Sequence, residues 1–252
     1  MSNVTDILKQ LDNFNYQSGI DVYIPSLKRT IKFKAINLRQ QKNLLKSSVE
    51  ESLTRTSFIT NFFSIIQENV LEGININDLY VFDRNAIAIA LRGSSLDSKY
   101  TINDVEYDLN DKIKEIPSFV VDDSILTETI TMNKLKVVLE VPKLGIDRDV
   151  SIAVLNKIKK EQKDSIDSLV GELFIHEILK FVQSVTFMSE TSDNTVLLGD
   201  TKVEERLSII ERFPAPLTTQ ILTFIKKYRD KESELVKIGD SVIDINSSFF
   251  MI

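Results

Sequence analysis

Apolar and polar residues alternate early in the chain. Ile31, Phe33 and Ala35 interleave with Thr30, Lys32 and Lys34, after residues 21–24 and a Pro25-Ser26-Leu27-Lys28 break. That pattern predicts a β-hairpin over residues 21–36 with one apolar and one basic face. The period then lengthens: Leu38, Leu45, Val49 and Leu53 fall near helical spacing, and a second apolar stripe covers residues 58–71. Two packed helices are expected there. Phe82-Asp83-Arg84-Asn85 opens a short helix over residues 86–91, which Arg92-Gly93 should stop, since glycine is the usual residue past a helix end.

Residues 99–102 and 105–108 read as a second hairpin turning at Asn103-Asp104, a weaker turn signal than Asn-Gly. Residues 125–132 and 135–141, rich in β-branched side chains around Asn133-Lys134 and closed by Pro142, form a third hairpin candidate. Helical patterns follow over residues 149–160, 166–188, 202–212 and 217–228, with Pro214 and Pro216 separating the last two. A short strand pair is expected at residues 235–238 and 242–245, turning at Gly239-Asp240. The fold class is therefore α+β: a hairpin-rich N-terminal half with packed helices, and a mostly helical C-terminal half closed by a short hairpin. The expected lobes are residues 1–145 and 146–252, divided within residues 142–149, unless the chain forms one continuous domain. No fixed-period repeat is present, which disfavours solenoids and propellers.

Composition narrows the functional classes. The chain has 252 residues, 42% hydrophobic and 27% charged, enough to bury a substantial core. With 0 Cys there is no disulfide, cysteine nucleophile or cysteine zinc site, and a single His, His176, excludes histidine metal clusters. No glycine-rich phosphate loop or dinucleotide fingerprint occurs. His176-Glu177 begins like a zinc-protease motif, but Lys180 stands where the second ligand belongs. His176 with Glu172 one turn earlier could form a general-base pair; a histidine at the edge of an apolar helix is the plainer reading. Asp122-Asp123 and Glu204-Glu205 are sequence neighbours that point apart in regular structure, so solvated charge is expected. We expect no cofactor and no metal.

The N-terminus lacks a secretory signal pattern, and the apolar stretches at residues 58–71 and 169–188 are interrupted by polar residues. Neither supplies the roughly 20 apolar residues of a membrane span, so a soluble protein with no membrane partner is expected. The net charge of −6 argues against general nucleic-acid binding. Charge is nonetheless segregated. Between Val22 and Val49 there are seven basic residues, Lys28, Arg29, Lys32, Lys34, Arg39, Lys42 and Lys46, and no acid. Residues 97–133 carry nine acids against Lys99, Lys112 and Lys114. The two segments either neutralise charge within the fold or face complementary partners, where they would set orientation more than affinity. The C-terminal Phe249-Phe250-Met251-Ile252 either tucks into the core or docks in a partner's groove, where aromatic anchors often dominate the energy. Candidate partner-contact residues are thus Lys32, Lys34, Arg39, Lys42, Phe249 and Phe250.

Ile24-Pro25-Ser26-Leu27, Ile31-Lys32-Phe33-Lys34 and the run from Leu38 to Lys46 together resemble the opening hairpin and first helix of a known family. That family comprises the baseplate hub and hub-assembly proteins of T-even-type contractile-tailed bacteriophages. The likeness resumes at Phe82-Asp83-Arg84, Leu91-Arg92 and Ser95, at the strand pair ending Val141-Pro142, and at Phe249-Phe250. Several members of the family carry Cys-x-x-Cys pairs near the middle or C-terminal hairpin; this chain has none, so no zinc role carries over. The resemblance implies a non-enzymatic tail morphogenesis protein that assists assembly of the baseplate hub or forms part of it. Its partners would be hub or other tail proteins, met in the host cytoplasm during assembly or in the virion baseplate. Competing readings are a general protein-interaction module, a hydrolase using His176 and Glu172, and a nucleic-acid module using residues 28–46.

Overall fold

The computed structural model of the chain describes residues 4–17, 19–50, 55–160, 166–189 and 192–251. The fold is α+β, as the alternation and helical stripes predict. Two compact units are formed: residues 1–120 with 235–252, and residues 121–234. The sequence placed a division within residues 142–149; the four-stranded sheet described below, which residues 127–140 share with residues 182–197, instead keeps the third hairpin in the second unit.

The first unit begins with helix α1 (Val4–Gln17), which the sequence reading did not identify. Strands β1 (Ile20–Ile24) and β2 (Arg29–Phe33) then pair antiparallel, with Val22 opposite Ile31 and Ile24 opposite Arg29. Val22, Ile24, Ile31 and Phe33 are fully buried, so the predicted apolar face forms the hairpin's inner side. Pro25-Ser26-Leu27 makes a 3-10 turn that ends at Lys28 in the left-handed region, φ 51°. Helices α2 (Leu38–Glu50) and α3 (Thr56–Asn69) pack together; the expected extension of the first helix to Leu53 lies outside the described residues. The chain leaving α3 joins the edge of β2, where the Lys34 amide donates to the Asn69 carbonyl at 2.8 Å and the Leu71 amide to the Lys32 carbonyl at 2.9 Å.

Helix α4 (Val81–Ser95) is longer than expected at both ends and carries Gly93 inside it. Glycine does not stop the helix. It permits close packing, since a Cβ there would lie 3.1 Å from the Ile113 side chain and 3.3 Å from Leu109 Cβ. Residues Ala86 to Leu91 are buried on every side, the signature of a central helix rather than an amphipathic surface one. The second hairpin, β3 (Lys99–Ile102) and β4 (Val105–Asp108), turns at Asn103 and Asp104 with φ of 49° and 63°, both positive as a type I′ turn requires. Helix α5 (Leu109–Glu115) follows, capped by the Asp108 carboxylate on the Asn110 amide.

The second unit contains the short α6 (Asp123–Leu126), then β5 (Thr127–Met132) and β6 (Leu135–Glu140), the third predicted hairpin. Helices α7 (Leu144–Lys160) and α8 (Ile166–Phe181) pack together. The helix expected to reach about Met188 stops at Phe181 and passes directly into β7 (Val182–Phe187). Burial alternates along this strand, with Val182, Ser184 and Thr186 inward. β8 (Asn194–Leu197) completes an antiparallel sheet ordered β5-β6-β7-β8. Helices α9 (Val203–Ile210) and α10 (Ala215–Val236) follow. Phe181, Phe224 and Tyr228 pack as an aromatic cluster, with Phe181 lying 6.2 Å from Phe224 and 5.8 Å from Tyr228.

The chain returns to the first unit through β9 (Lys237–Ile238) and β10 (Ser241–Val242), turning at Gly239 with φ +56°. The expected terminal hairpin is present but shorter. Residues 247–250 then form a 3-10 turn, with the Asn246 side chain accepting from the Ser248 and Phe249 amides.

Candidate functional site

Three of the candidate cations, Lys34, Arg39 and Lys42, belong to one stretch of surface where β2 ends and α2 begins. A cleft of about 250 Å³ there is lined by Lys34, Ala35, Asn37, Arg39, Gln40, Glu68 and Asn69. Its local cause is readable: Asn37 and Gln40 form a reciprocal capping pair. The Gln40 amide donates to Asn37 Oδ1 at 3.0 Å, and the Asn37 amide donates to Gln40 Oε1 at 3.2 Å. Two otherwise orphaned helix-start amides are thereby satisfied.

The floor of the cleft is an amide pair. Gln40 and Asn69 are each 3% exposed. Gln40 Nε2 donates to Asn69 Oδ1 at 2.8 Å and to Glu68 Oε2 at 2.9 Å. Asn69 Nδ2 returns a bond to Gln40 Oε1 at 3.2 Å and reaches the Ala35 carbonyl at 3.5 Å. A satisfied buried network fixes rotamers on both elements, whereas each unpaired member would cost about 1–3 kcal/mol. The start of α2 is consequently a rigid platform.

On that platform the cations point outward. Arg39, Lys42 and Lys46 are exposed and spaced three and four residues apart on α2, so they share one helix face. The Arg39 side chain is 77% exposed and stands 3.7 Å from the Glu68 carboxylate. Lys34 is half-buried at the cleft wall. Lys32 differs: its ammonium bonds Asp21 at 2.8 Å across the hairpin, and that hydrogen bond and charge hold its pKa above the ordinary lysine value. Arg29 likewise pairs with Glu72 at 3.1 Å. The acidic stretch finds partners close by in sequence, in the pairs Lys99–Glu106, Lys112–Glu115 and Lys114–Asp111.

The tail has a different role from the docking anchor the sequence allowed. Phe249 and Phe250 are 0% exposed. Phe250 packs 5.2 Å from Phe62 and 6.2 Å from Phe58, while Phe249 meets Tyr100 edge-on at 5.1 Å. The Arg92 guanidinium lies 5.0 Å from the Tyr100 ring centre and 5.3 Å from that of Phe249, and it donates to the Met251 carbonyl at 3.3 Å. Gln41 Nε2 donates to the Phe250 carbonyl at 3.1 Å. With no surface to offer a partner, both phenylalanines serve this unit's own core.

His176 is 3% exposed. Its Nδ1 lies 2.7 Å from the Glu172 carbonyl oxygen, and the Glu172 carboxylate is instead engaged by Lys157 at 2.6 Å. Burial pushes the imidazole pKa below its ordinary value despite the neighbouring Glu172. The Glu172 carboxylate also stands 3.9 Å from His176 Nδ1, and a ring 3% exposed offers a substrate little approach. One turn further along α8, Lys180 bridges Asp147 at 2.8 Å and Glu177 at 3.2 Å, and Arg229 bonds Glu177 at 2.7 Å. Burial pulls the Lys180 pKa down, but Asp147 and Glu177 outweigh it and leave the group above the ordinary lysine value.

Sequence reading missed two further buried polar groups. Asp83 is fully buried at the start of α4; its carboxylate accepts from the Ser26 and Tyr80 amides, each at 2.9 Å, tying the hairpin turn to the helix. Burial pushes its pKa up to about 6, against those two hydrogen bonds. Its position three residues into the helix is a capping signal that the sequence does contain. Arg92 gave no such signal, because its aromatic partners lie elsewhere in the chain.

Among the described residues no group of three or more His, Asp or Glu could hold a metal ion, and no helix is long and apolar enough to cross a membrane. Comparisons with protein-family models, with curated proteins and with solved structures find no match.

Proposed function

We propose that the chain is a non-enzymatic phage tail morphogenesis protein. It assists assembly of the baseplate central hub, or forms part of it, through protein–protein contacts. The observation that carries this reading is the cationic surface of Lys34, Arg39 and Lys42, mounted on a rigid amide network in a chain of net charge −6. It lies within residues 24–46, where the resemblance to hub proteins begins. A basic patch on an acidic molecule orients encounters: it draws an acidic partner surface while the rest of the molecule repels one. The partner is therefore a hub or other tail protein with an acidic face, met in the host cytoplasm while the baseplate is built.

The test is a charge-reversed chain carrying Lys34→Glu, Arg39→Glu and Lys42→Glu, titrated against purified baseplate hub proteins at several salt concentrations. All three side chains lie at the surface or cleft wall, so circular dichroism and urea unfolding should remain close to wild type. The expected result is at least tenfold weaker hub binding, with loss of the wild-type salt dependence. Equal binding by both chains, or no binding of hub proteins by the wild type, would remove the proposal.

A further inference from the structure

Two cations in the cleft at the start of α2 lack the partners that its floor has. Both amide hydrogens of Gln40 are spent, on Asn69 Oδ1 and Glu68 Oε2, and both of Asn69 are spent on Gln40 Oε1 and the Ala35 carbonyl. The cationic walls differ. Arg39 meets the Glu68 carboxylate only at 3.7 Å, longer than the roughly 2.7–2.9 Å of a charge-assisted hydrogen bond, while Gln40 Nε2 holds that carboxylate at 2.9 Å. Among the described residues no acid pairs with the Lys34 ammonium, and its half-buried place at the wall leaves it partly stripped of water.

We infer that this cleft binds one carboxylate, that of an acidic side chain on a partner protein, with the Arg39 fork on its two oxygens and the Lys34 ammonium against the same group. This assignment rests on the reading of Lys34, Arg39 and Lys42 as the partner contact, and names what that surface grips. Size sets the first limit. A cleft of about 250 Å³ is smaller than the roughly 300–1,000 Å³ of sites for drug-sized ligands, so it suits a side chain.

Charge and donor number set the second. The lining holds two cations, Lys34 and Arg39, against one acid, Glu68, so a single negative charge neutralises it. A guanidinium presents paired N–H groups that match the two oxygens of a carboxylate. A phosphate monoester brings three acceptor oxygens and nearly two charges. With the Gln40 and Asn69 hydrogens already spent, its third oxygen finds no donor on the floor and meets the charge of Glu68, which costs the desolvation of an unpaired group.

The probe is acetyl-glutamate methylamide, which carries one side-chain carboxylate and no other charge. It is titrated into the full chain and followed by the NMR signals of the Gln40 and Asn69 side-chain amides, beside parallel titrations with chloride at equal ionic strength and with acetyl-phosphoserine methylamide. The expected wild-type dissociation constant is on the order of 1–10 mM, as suits so few atoms. Arg39→Gln should weaken binding roughly tenfold and Lys34→Met about threefold, through lost hydrogen bonds to charged groups. Glu68→Gln keeps an acceptor for the Gln40 amide but removes the repelling charge, and it should tighten binding severalfold. Three results would each overturn the assignment: the glutamate probe shifting these signals no more than chloride does, equal affinity in wild type and Arg39→Gln, or phosphoserine binding tighter than glutamate, which would give the cleft to a phosphate. No hub protein enters the titration. Hub binding beside a silent cleft would therefore refute this assignment alone, whereas glutamate binding by a chain that ignores hub proteins would support it and refute only the hub proposal.

Discussion

Replacing Phe250 with alanine should destabilise the first unit by about 4 kcal/mol. The ring is fully buried between Phe62 and Phe58, with Phe249 at 5.3 Å edge-on. Withdrawing such a side chain into water costs about 1.5–3 kcal/mol. The cavity left behind and the lost ring pairings, each about 0.5–1.5 kcal/mol, bring the sum to the 3–5 kcal/mol typical of buried Phe→Ala changes. Urea unfolding of the full chain, followed by circular dichroism, measures it: the midpoint should fall with an unchanged slope. Truncation after Ser248 removes both rings as well as the Arg92 contact at Met251, and it should exceed the single substitution. A unit in the lower half of the usual 5–15 kcal/mol range would then be largely unfolded at 37 °C. Met251→Ala, at a residue 45% exposed, should change stability by less than about 1 kcal/mol. The reasoning is refuted if Phe250→Ala or the truncation leaves the midpoint at its wild-type value, since the tail would then not be part of the core.

Three further outcomes follow, two from buried groups and one from a turn. The Asp83 carboxyl titrates at about 6 when folded and 3.8 when unfolded, so the stability linked to it is fully present below pH 4 and is lost as pH rises through 6. That loss is about 3 kcal/mol at 1.36 kcal/mol per unit, and pH-dependent urea midpoints of wild type and Asp83→Asn should diverge over that window. Lys180→Met removes the ammonium that bonds the buried Asp147 carboxylate at 2.8 Å and should lower stability by about 3 kcal/mol, measured by thermal unfolding at neutral pH, with part of the loss recovered in acid. Gly239→Ala places a Cβ 3.1 Å from the Tyr107 ring at φ +56° and should lower stability by about 1–2 kcal/mol; an unchanged melting temperature would contradict the turn geometry.

Much of the architecture is legible where one period dominates. The first hairpin follows from alternation on either side of a turn, because one face of each strand meets an apolar neighbour and the other meets water, and the 99–108 hairpin is marked by its Asn103-Asp104 turn. Residues 166–188 were misread because no Gly, Pro or turn residue marks the passage from α8 into β7 at Phe181-Val182. The strand beginning at Val182 shows itself in the alternation of burial along residues 182–187. Gly93 was misread for a related reason: glycine ends helices, but it also admits a close neighbour, and only the nearby Leu109 and Ile113 side chains distinguish the two. The candidate surface was partly legible. The cations Lys34, Arg39 and Lys42 follow from the charge run, and Asn37 with Gln40 is a readable capping pair. Their link to Asn69 joins residues 29 positions apart, which no local pattern carries. Phe249 and Phe250 look the same in sequence whether they anchor a partner or fill a core. The cavity formed by Phe58, Phe62, Tyr100 and Arg92 decides for the core.

The central claim is that this chain works by touching hub proteins through its basic surface, and lysine-reactive cross-linking reads that directly. Quantitative mass spectrometry should be run on purified phage particles beside lysate of the infected host, both cross-linked. The account predicts links from Lys34 or Lys42 to acidic segments of baseplate hub proteins. Stoichiometric presence in particles would mark a retained subunit, and presence in lysate alone an assembly factor. Absence of hub cross-links from both samples, with the chain abundant in lysate, would contradict the account.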